Sequence, residues 1–228
     1  MVKFPFKSIL TWDSVLVFIV FLCAFVIPVF PPSWGILPVR IGFTLIFISG
    51  VMIMKKRNLF ILYLAFASFV MEWISGILDW ELVTNISKSM NILFFLIVIF
   101  SLIHEMATAK IITARVIMAS ISGYLLLGII YSVLIVAIIQ RDADAFNFVR
   151  EGNGTGNPIS NLSGSLYFGF VTLASLGYGD IVPLKPYTRS LATLIAVSGQ
   201  LYIATIIGIL IGKFAASDTS LYKKDKNQ

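Results

Sequence analysis

Apolar residues fill blocks of about 20 positions along this chain, and short polar or charged segments separate the blocks. An α-helix needs about 20 apolar residues to cross the hydrocarbon core of a bilayer. The pattern therefore predicts an all-α integral membrane protein with six transmembrane helices. The predicted spans are 11–30, 37–54, 59–78, 89–109, 116–140 and 188–212, and a shorter apolar segment covers 164–174.

The composition supports a membrane location and excludes some other classes. Of the 228 residues, 58% are hydrophobic and 12% are charged, whereas a soluble domain carries about 25% charged residues. The net charge of +6 is compatible with nucleic-acid binding, but the basic residues lie at the ends of the apolar blocks. We therefore expect a lipid bilayer and no nucleic acid as a partner. The single Cys23 excludes a disulfide within one chain.

Basic residues also predict the orientation of the spans. Most of the 17 Lys and Arg residues, among them Lys55, Lys56 and Arg57, fall on the same side as the N-terminus. An excess of Lys and Arg marks the cytoplasmic side of a membrane protein. We therefore expect a multi-pass protein of the plasma (cell inner) membrane, with both termini in the cytoplasm and residues 141–183 outside.

The fourth span, 89–109, contains no Lys or Arg. A voltage sensor needs several basic residues at every third position inside the membrane field, and each contributes about 2.3 kcal/mol per 100 mV. Because this span lacks such an array, we expect little intrinsic voltage dependence.

A glycine-containing string, S-L-G-Y-G-D at 175–180, occurs once, between the fifth and sixth spans. Backbone carbonyls can replace the water around a cation, and they point toward one axis when every second residue is left-handed. Glycine visits the left-handed region freely, and Gly177 and Gly179 occupy alternate positions. The string therefore predicts an ion path, and a glycine-rich extracellular turn is the alternative interpretation. The predicted ion-binding residues are Ser175, Leu176, Gly177, Tyr178 and Gly179, with the Ser175 hydroxyl at the inner end.

The longer stretch T-L-A-S-L-G-Y-G-D at 172–180 resembles the signature T-x-T-T-V-G-Y-G-D of potassium-selective channels. The similarity covers about 116–214 and looks like the pore module of bacterial members of that family. It implies passive transport of K⁺, with K⁺ bound by the residues just named, and no cofactor. The family surrounds one ion path with four copies of this loop, so the single copy in this chain also implies a homotetramer.

The resemblance implies supporting roles for residues around the filter. Tyr167 and Phe168 match the positions of an aromatic cuff, and Asp180 matches the acid that follows the filter. Thr172 matches the first threonine of the signature. Leu176 and Tyr178 are expected to point away from the ion path, against neighbouring protein.

The sequence departs from the family pattern behind the filter. Ala174 and Ser175 stand where the family prefers threonine, and Leu176 replaces the usual valine. Phe168 lacks the hydrogen-bond donor of a tryptophan, and Val171 stands where some members carry an acid. We therefore expect potassium selectivity with a filter that is less firmly braced.

These features predict three regions. A four-helix N-terminal region (1–115) precedes the pore module (116–214), and a short cytoplasmic tail (215–228) follows. The tail is too short for a folded ligand-binding domain. Within the pore module we expect an outer helix, a solvated turret at 141–163, a pore helix at 164–174, the filter at 175–179 and an inner helix at 188–212.

One face of the sixth span is a candidate gate. Gly199 lies where many members of the family carry a hinge glycine, and helical spacing then places Gln200, Ile203, Ile207 and Ile211 on one face. In a tetramer that face would line the cavity, where rings of isoleucine can close a pore by dewetting. The alternative is that the face packs against the fifth span.

Ionisable residues in the first four spans are candidate sensors. A carboxylate is costly within a membrane, so Glu72 either pairs with a polar neighbour or senses protons or ions. His104 and Glu105 form either an interfacial pair beside Lys110 or a pH sensor.

The sequence as a whole predicts a potassium-selective, voltage-insensitive channel. The alternatives are a weakly selective cation channel, and a membrane sensor or accessory subunit with a non-conducting pore module. An enzyme is not expected, because the sequence shows no paired carboxylates, no nucleophile with a base and no cluster of metal ligands.

Overall fold

The structure is a computed structural model that describes residues 12–29, 37–54, 59–78, 81–109, 113–148 and 158–225. Several sequence-based predictions lie outside the described residues. They concern the basic residues Lys55, Lys56, Arg57 and Lys110, the turret residues 149–157 and the end of the tail, 226–228.

Seven α-helices account for most of the described residues. They are α1 (Trp12–Phe21), α2 (Leu37–Met54), α3 (Leu59–Leu78), α4 (Glu81–Thr108), α5 (Ala114–Arg141), α6 (Pro158–Leu173) and α7 (Pro186–Asp225). Helical turns at Leu22–Val26 and Ile27–Val29 continue α1. The described residues contain no β-strand, and one antiparallel bridge joins Phe146 to Pro183. The predicted all-α class is therefore confirmed.

The predicted bounds are right for two of the first helices and wrong for α4. Both α2 and α3 begin and end where the hydrophobic pattern placed them. In contrast, α4 begins at Glu81 rather than at 89. Lys88, which directly precedes the predicted span, therefore lies inside the helix, and its side chain donates a hydrogen bond to the Gln140 side chain.

The helices on either side of the filter also extend beyond their predicted bounds. α6 begins at Pro158 rather than at 164, since the fixed φ and missing N–H of proline suit the first turn of a helix. α7 continues to Asp225. The predicted tail at 215–228 is therefore helical for most of its length.

Within the described ranges, three helical segments are long and apolar enough to cross a membrane. They are Leu82–Thr108, Ala114–Arg141 and Pro186–Lys213. Shorter apolar helical segments cover Trp12–Val26, Leu37–Ile53, Tyr63–Ser75 and Leu162–Leu173. These helices indicate a multi-pass membrane protein, whereas the count of six spans stays a prediction.

The centre of the fold is α5, which packs against α1, α4, α6 and α7. Half of its 28 residues are buried. A close approach brings α6 onto α5, because a Cβ at Gly128 would overlap the ring of Phe170. Small residues allow membrane helices to pack at short range. This contact holds α6 in place, and α6 in turn positions the loop that follows it.

Candidate ion-conduction site

The loop after α6 folds back on the last turn of that helix. The N–H of Ala174 donates to the Phe170 carbonyl oxygen at 2.9 Å, and the N–H of Leu176 donates to the Val171 carbonyl oxygen at 2.9 Å. The last carbonyls of a helix lack partners within the helix. The loop supplies some of these partners and is thereby fixed to the end of α6.

Three alternate residues of this loop have positive φ angles. The values are 58° at Ser175, 55° at Gly177 and 79° at Gly179. The left-handed conformation expected for the two glycines is confirmed. Ser175 was not expected to share it, and a residue with a β-carbon is less stable there by roughly 1–2 kcal/mol. This alternation is the backbone pattern that carbonyl groups directed at one axis require, and the direction of the carbonyl groups stays a prediction.

The carbonyl oxygens of Ser175 through Gly179 accept no hydrogen bond from the part of the chain that the structure describes. The side chains of Leu176 and Tyr178 are exposed. A backbone carbonyl without a partner at membrane depth is tolerated only where it lines a cavity or is covered by protein. These oxygens therefore have no hydrogen-bond donor within the described chain, and their binding of a cation stays a prediction.

Asp180 follows the filter and is held by two donors. The Tyr167 hydroxyl donates to Asp180 Oδ2, and the N–H of Ile181 donates to Asp180 Oδ1 at 3.0 Å. The hydrogen bond from Tyr167 holds the pKa of Asp180 below its usual range. Two predicted supporting residues are thus in direct contact, although their hydrogen bond was not predicted.

Phe168 and Thr172, the other two predicted supporting residues, contact the loop differently. Phe168 is buried, and its ring packs edge-on against Phe146 with 5.1 Å between ring centroids. The Thr172 carbonyl oxygen accepts the N–H of Ser175 at 2.9 Å. The aliphatic Val171 contributes its carbonyl oxygen rather than a side-chain brace.

The segment after α5 packs against residues 182–184, so Ala145 and Phe146 are not the solvated residues that the predicted turret implies. Ala145 and Phe146 are buried. The N–H of Leu184 donates to the Ala145 carbonyl oxygen at 2.9 Å, and the N–H of Asn147 donates to the Val182 carbonyl oxygen at 3.1 Å. We call residues 142–148 and 180–184 together the outer rim.

The inner end of the filter contacts α7. Gln200 Nε2 donates a hydrogen bond to Ser175 Oγ at 2.9 Å. A Cβ at Gly199 would overlap the Leu173 carbonyl oxygen, so α7 crosses the end of α6 at backbone contact distance. The helix is continuous across Gly199. The close approach explains the glycine here, and a hinge at this position stays a prediction.

The predicted cavity face of α7 is exposed. Ile203, Ile207 and Ile211 expose 37%, 49% and 63% of their surface. In the single chain this face therefore does not pack against α5, and its place at a cavity stays a prediction. The face that does pack against α5 contains Tyr202, whose hydroxyl donates to the Ser120 carbonyl oxygen at 2.8 Å.

The candidate sensor Glu72 has polar partners within the fold. Glu72 Oε2 accepts hydrogen bonds from Ser87 Oγ at 3.0 Å and from Asn91 Nδ2 at 2.7 Å. This arrangement matches the interpretation in which the carboxylate pairs with polar neighbours.

At the inner end of α4, Glu105 pairs with Arg115, and its predicted neighbour Lys110 lies outside the described residues. Arg115 Nη2 lies 3.2 Å from Glu105 Oε1, and Arg115 Nε lies 2.8 Å from Asp13 Oδ2. His104 is exposed. Asp13 is buried and was missed in the sequence, although a lone acid at the start of an apolar block is a signal for an ion pair.

The part of the chain that contains most of α5, all of α6 and most of α7 matches a known family model. Residues 121–216 match the family model described as "Ion channel". Within the described residues, no group of three His, Cys, Asp or Glu side chains is placed to bind a metal. The match shows that this part of the chain is similar to an ion-channel domain rather than to an enzyme.

Several curated proteins are similar to part of the chain. The human A-type voltage-gated potassium channel KCND3 (Homo sapiens) is 24% identical over 110 residues, which cover 48% of this chain and 16% of that protein. Potassium voltage-gated channel protein Shal (Drosophila melanogaster) is also 24% identical over 110 residues, covering 48% of this chain and 18% of that protein.

Potassium voltage-gated channel protein shk-1 (Caenorhabditis elegans) is 29% identical over 72 residues, which cover 32% of this chain and 13% of that protein. The chain therefore aligns with less than a fifth of the length of each of these relatives. No solved structure is significantly similar to the chain.

Proposed function

We propose that this chain is one subunit of a homotetrameric channel that passes K⁺ passively across a membrane. The observation that carries the proposal is the alternation of left-handed residues at 175, 177 and 179, together with carbonyl oxygens that have no donor among the described residues. Such oxygens can replace the hydration shell of a cation. K⁺ is the proposed ion because the loop carries the potassium-channel signature and the similar proteins are potassium channels by name.

The homotetramer supplies what one chain lacks. One loop places oxygens on one side of an ion, whereas a dehydrated cation needs oxygens all around it. Leu176 and Tyr178 are exposed in the single chain, and neighbouring subunits would cover them. α7 is the least buried of the three long apolar helices, which fits a helix that contacts other subunits and lines the cavity.

The same proposal includes six spans, a plasma-membrane location and cytoplasmic termini, as the distribution of basic residues predicts. It also includes weak voltage dependence. The similar proteins are voltage-gated by name, but the span 89–109 has no Lys or Arg to move in the field. A steep dependence of conductance on voltage in pure lipid vesicles would contradict this part of the proposal.

The experiment that tests the proposal compares K⁺ flux from liposomes that contain wild type or Gly177→Ala. The substituted residue would need a φ near 55°, which an L-residue with a Cβ adopts at a cost. We expect the variant to lose K⁺ flux or its preference for K⁺ over Na⁺.

Gly212→Ala is the matched control. Gly212 lies in α7, and no described atom lies within 4 Å of an added Cβ, so this variant should conduct like wild type. Wild-type flux and selectivity in Gly177→Ala, or a purified protein that is monomeric in detergent, would contradict the proposal.

A weakly selective cation channel is the second candidate, because Ala174 and Leu176 depart from the signature at the filter. Reversal potentials in mixed K⁺ and Na⁺ separate the two candidates. A reversal potential that follows the K⁺ gradient supports a potassium channel, whereas one near zero under opposed K⁺ and Na⁺ gradients supports weak selectivity.

A further inference from the structure

We infer that Gln200 is a positioning residue for the innermost ion site, because its side-chain amide fixes the hydroxyl of Ser175. The inference rests on the proposed function. Its first support is geometric: Gln200 Nε2 lies 2.9 Å from Ser175 Oγ, and it is the donor that the structure gives this hydroxyl oxygen. The bond joins the pore-lining face of α7 to the lowest residue of the filter.

Ser175 needs such a contact because its backbone is strained. Among the described residues, it is the one residue other than glycine with a positive φ. Its backbone N–H is satisfied by the Thr172 carbonyl oxygen at 2.9 Å. That bond fixes the main chain, but it leaves χ1 of Ser175 free. The amide of Gln200 therefore selects the direction in which the hydroxyl oxygen points.

The position of Gln200 is determined by the residue before it. Gly199 lies against the Leu173 carbonyl oxygen, where an added Cβ would overlap, so α7 cannot be closer to the end of α6. This contact fixes the position of the Gln200 backbone relative to Ser175 in the loop. A glutamine side chain reaches Ser175 from there, whereas asparagine is shorter by one methylene group.

The chemistry of a hydroxyl gives the bond two consequences. A serine hydroxyl has one donor hydrogen and two acceptor lone pairs. The amide N–H takes one lone pair, which leaves the other for a cation. The partial positive charge of the amide hydrogen also lies beside that cation and weakens its binding. Conduction requires sites that bind an ion and also release it. Gln200 therefore fixes the position of the Ser175 hydroxyl and also makes the cation at the inner site easier to release.

The test is the K⁺ to Na⁺ permeability ratio of Gln200→Leu in liposomes, measured from reversal potentials. Leucine fills much of the same volume and cannot donate. A typical hydrogen bond contributes enough to change an equilibrium by about two- to tenfold, so we expect the ratio to change by about that factor. Gln140→Leu is the matched control, because it makes the same substitution at an amide that accepts a hydrogen bond from Lys88 and does not contact Ser175. The K⁺ to Na⁺ permeability ratio of this variant should equal that of wild type.

Two further variants separate positioning from a general structural role. Gln200→Asn keeps an amide in the cavity but cannot reach Ser175, so it should behave like Gln200→Leu, and it keeps the test valid if the leucine variant does not assemble. In the Ser175→Ala background, Gln200→Leu should have no further effect, since contacting residues are coupled.

The outcomes distinguish the inference from the proposed function. The inference would be overturned if both Gln200 variants had the K⁺ to Na⁺ permeability ratio of wild type. It would also be overturned if Gln200→Leu changed the ratio equally with and without Ser175→Ala. In either case, K⁺ conduction by the wild type would still support the proposed channel. Wild-type vesicles that pass no K⁺ would overturn the proposed function, and the inference with it.

Discussion

The helices that we propose to form the pore, α5, α6 and α7, are held by different kinds of contact at their outer and inner ends. At the outer end the contacts are hydrogen bonds between segments that lie close to the filter. Tyr187 donates to Asp142 Oδ2 at 2.6 Å, and Thr188 Oγ1 donates to the Ala145 carbonyl oxygen at 3.0 Å. Together with the Tyr167–Asp180 bond, these contacts attach the outer rim to α6 and to the start of α7.

At the inner end the contacts involve cations and reach into the N-terminal helices. Lys213 Nζ, near the inner end of α7, donates to the carbonyl oxygens of Met106, Ala107 and Ala109. A cation at this place also complements the negative end of the α4 dipole. Arg115 joins α5 to α1 and α4 through its two carboxylate partners. We call Arg115, Lys213 and their partners the inner clasp.

The difference shows where movement in the N-terminal region can reach the pore. The hydrogen bonds of the outer rim described above lie within the pore module, and α4 reaches the same end of α5 through the bond from Lys88 to Gln140. The inner clasp connects α1 and α4 directly to α5 and α7. A displacement of α4 would therefore act directly on the inner end of α7.

The largest expected effect comes from Gly199→Ala. Gly199 lies where α7 contacts the end of α6, between the outer rim and the inner clasp. An added Cβ overlaps a backbone carbonyl oxygen, which no side-chain rotation can relieve. Overpacking of this kind costs about 3 kcal/mol. We expect a lower melting temperature and loss of the assembled protein, measured by thermal unfolding and size-exclusion chromatography in detergent.

Gly208→Ala is the control for this variant. No described atom lies within 4 Å of a Cβ at Gly208, and alanine favours a helix by about 1 kcal/mol relative to glycine. The control should be at least as stable as wild type. Equal stability of the two variants would show that the helices do not meet at Gly199.

The contacts just described mark the limit of what the sequence could predict. The bounds of α2 and α3 follow from apolar runs that end at charged or polar residues, and the left-handed glycines follow from their spacing. These are local properties. The contact of Gly199 with Leu173 joins residues far apart along the chain, and so does the bond between Gln200 and Ser175. Helical periodicity placed Gln200 on a face but could not provide its partner.

The inner clasp yields the next largest effect, through the buried carboxylate of Asp13. Asp13 is 1% exposed, and its Oδ1 has no hydrogen-bond partner in the described structure. Arg115→Met would leave this charge without its cation. Breaking a buried ion pair in this way costs about 3–5 kcal/mol, and the half-exposed Arg115 reduces the expected cost to about 2 kcal/mol.

Asp13→Asn provides the comparison for Arg115→Met. It removes the buried charge itself and leaves Arg115 paired with Glu105, so we expect a cost of about 1 kcal/mol or less. Thermal unfolding of both variants in the same detergent measures the difference. An asparagine variant that is as unstable as Arg115→Met would mean that the unpaired charge of Asp13 is not what destabilises Arg115→Met.

The smallest expected effect belongs to Tyr167→Phe at the outer rim, and it depends on pH. The Tyr167 hydroxyl lowers the pKa of Asp180 from its ordinary value near 3.8. A lowered folded-state pKa stabilises the fold above that ordinary value, and this contribution is lost as the pH falls through the lowered pKa. The variant should therefore melt below wild type at neutral pH, and the difference in melting temperature should shrink as the pH falls below 3.8.

Tyr187→Phe separates a role in the filter from a role in the rim. It removes the Tyr187 hydroxyl that donates to Asp142, and this hydrogen bond is the main reason why the pKa of Asp142 is lowered. The melting temperature of Tyr187→Phe should therefore depend on pH in the same way as that of Tyr167→Phe. Asp180 is adjacent to Gly179, whereas Asp142 lies at the end of α5. Only Tyr167→Phe should therefore alter the K⁺ to Na⁺ permeability ratio. An equal change in both variants would mean that the outer rim acts on the filter as a whole, rather than through Asp180.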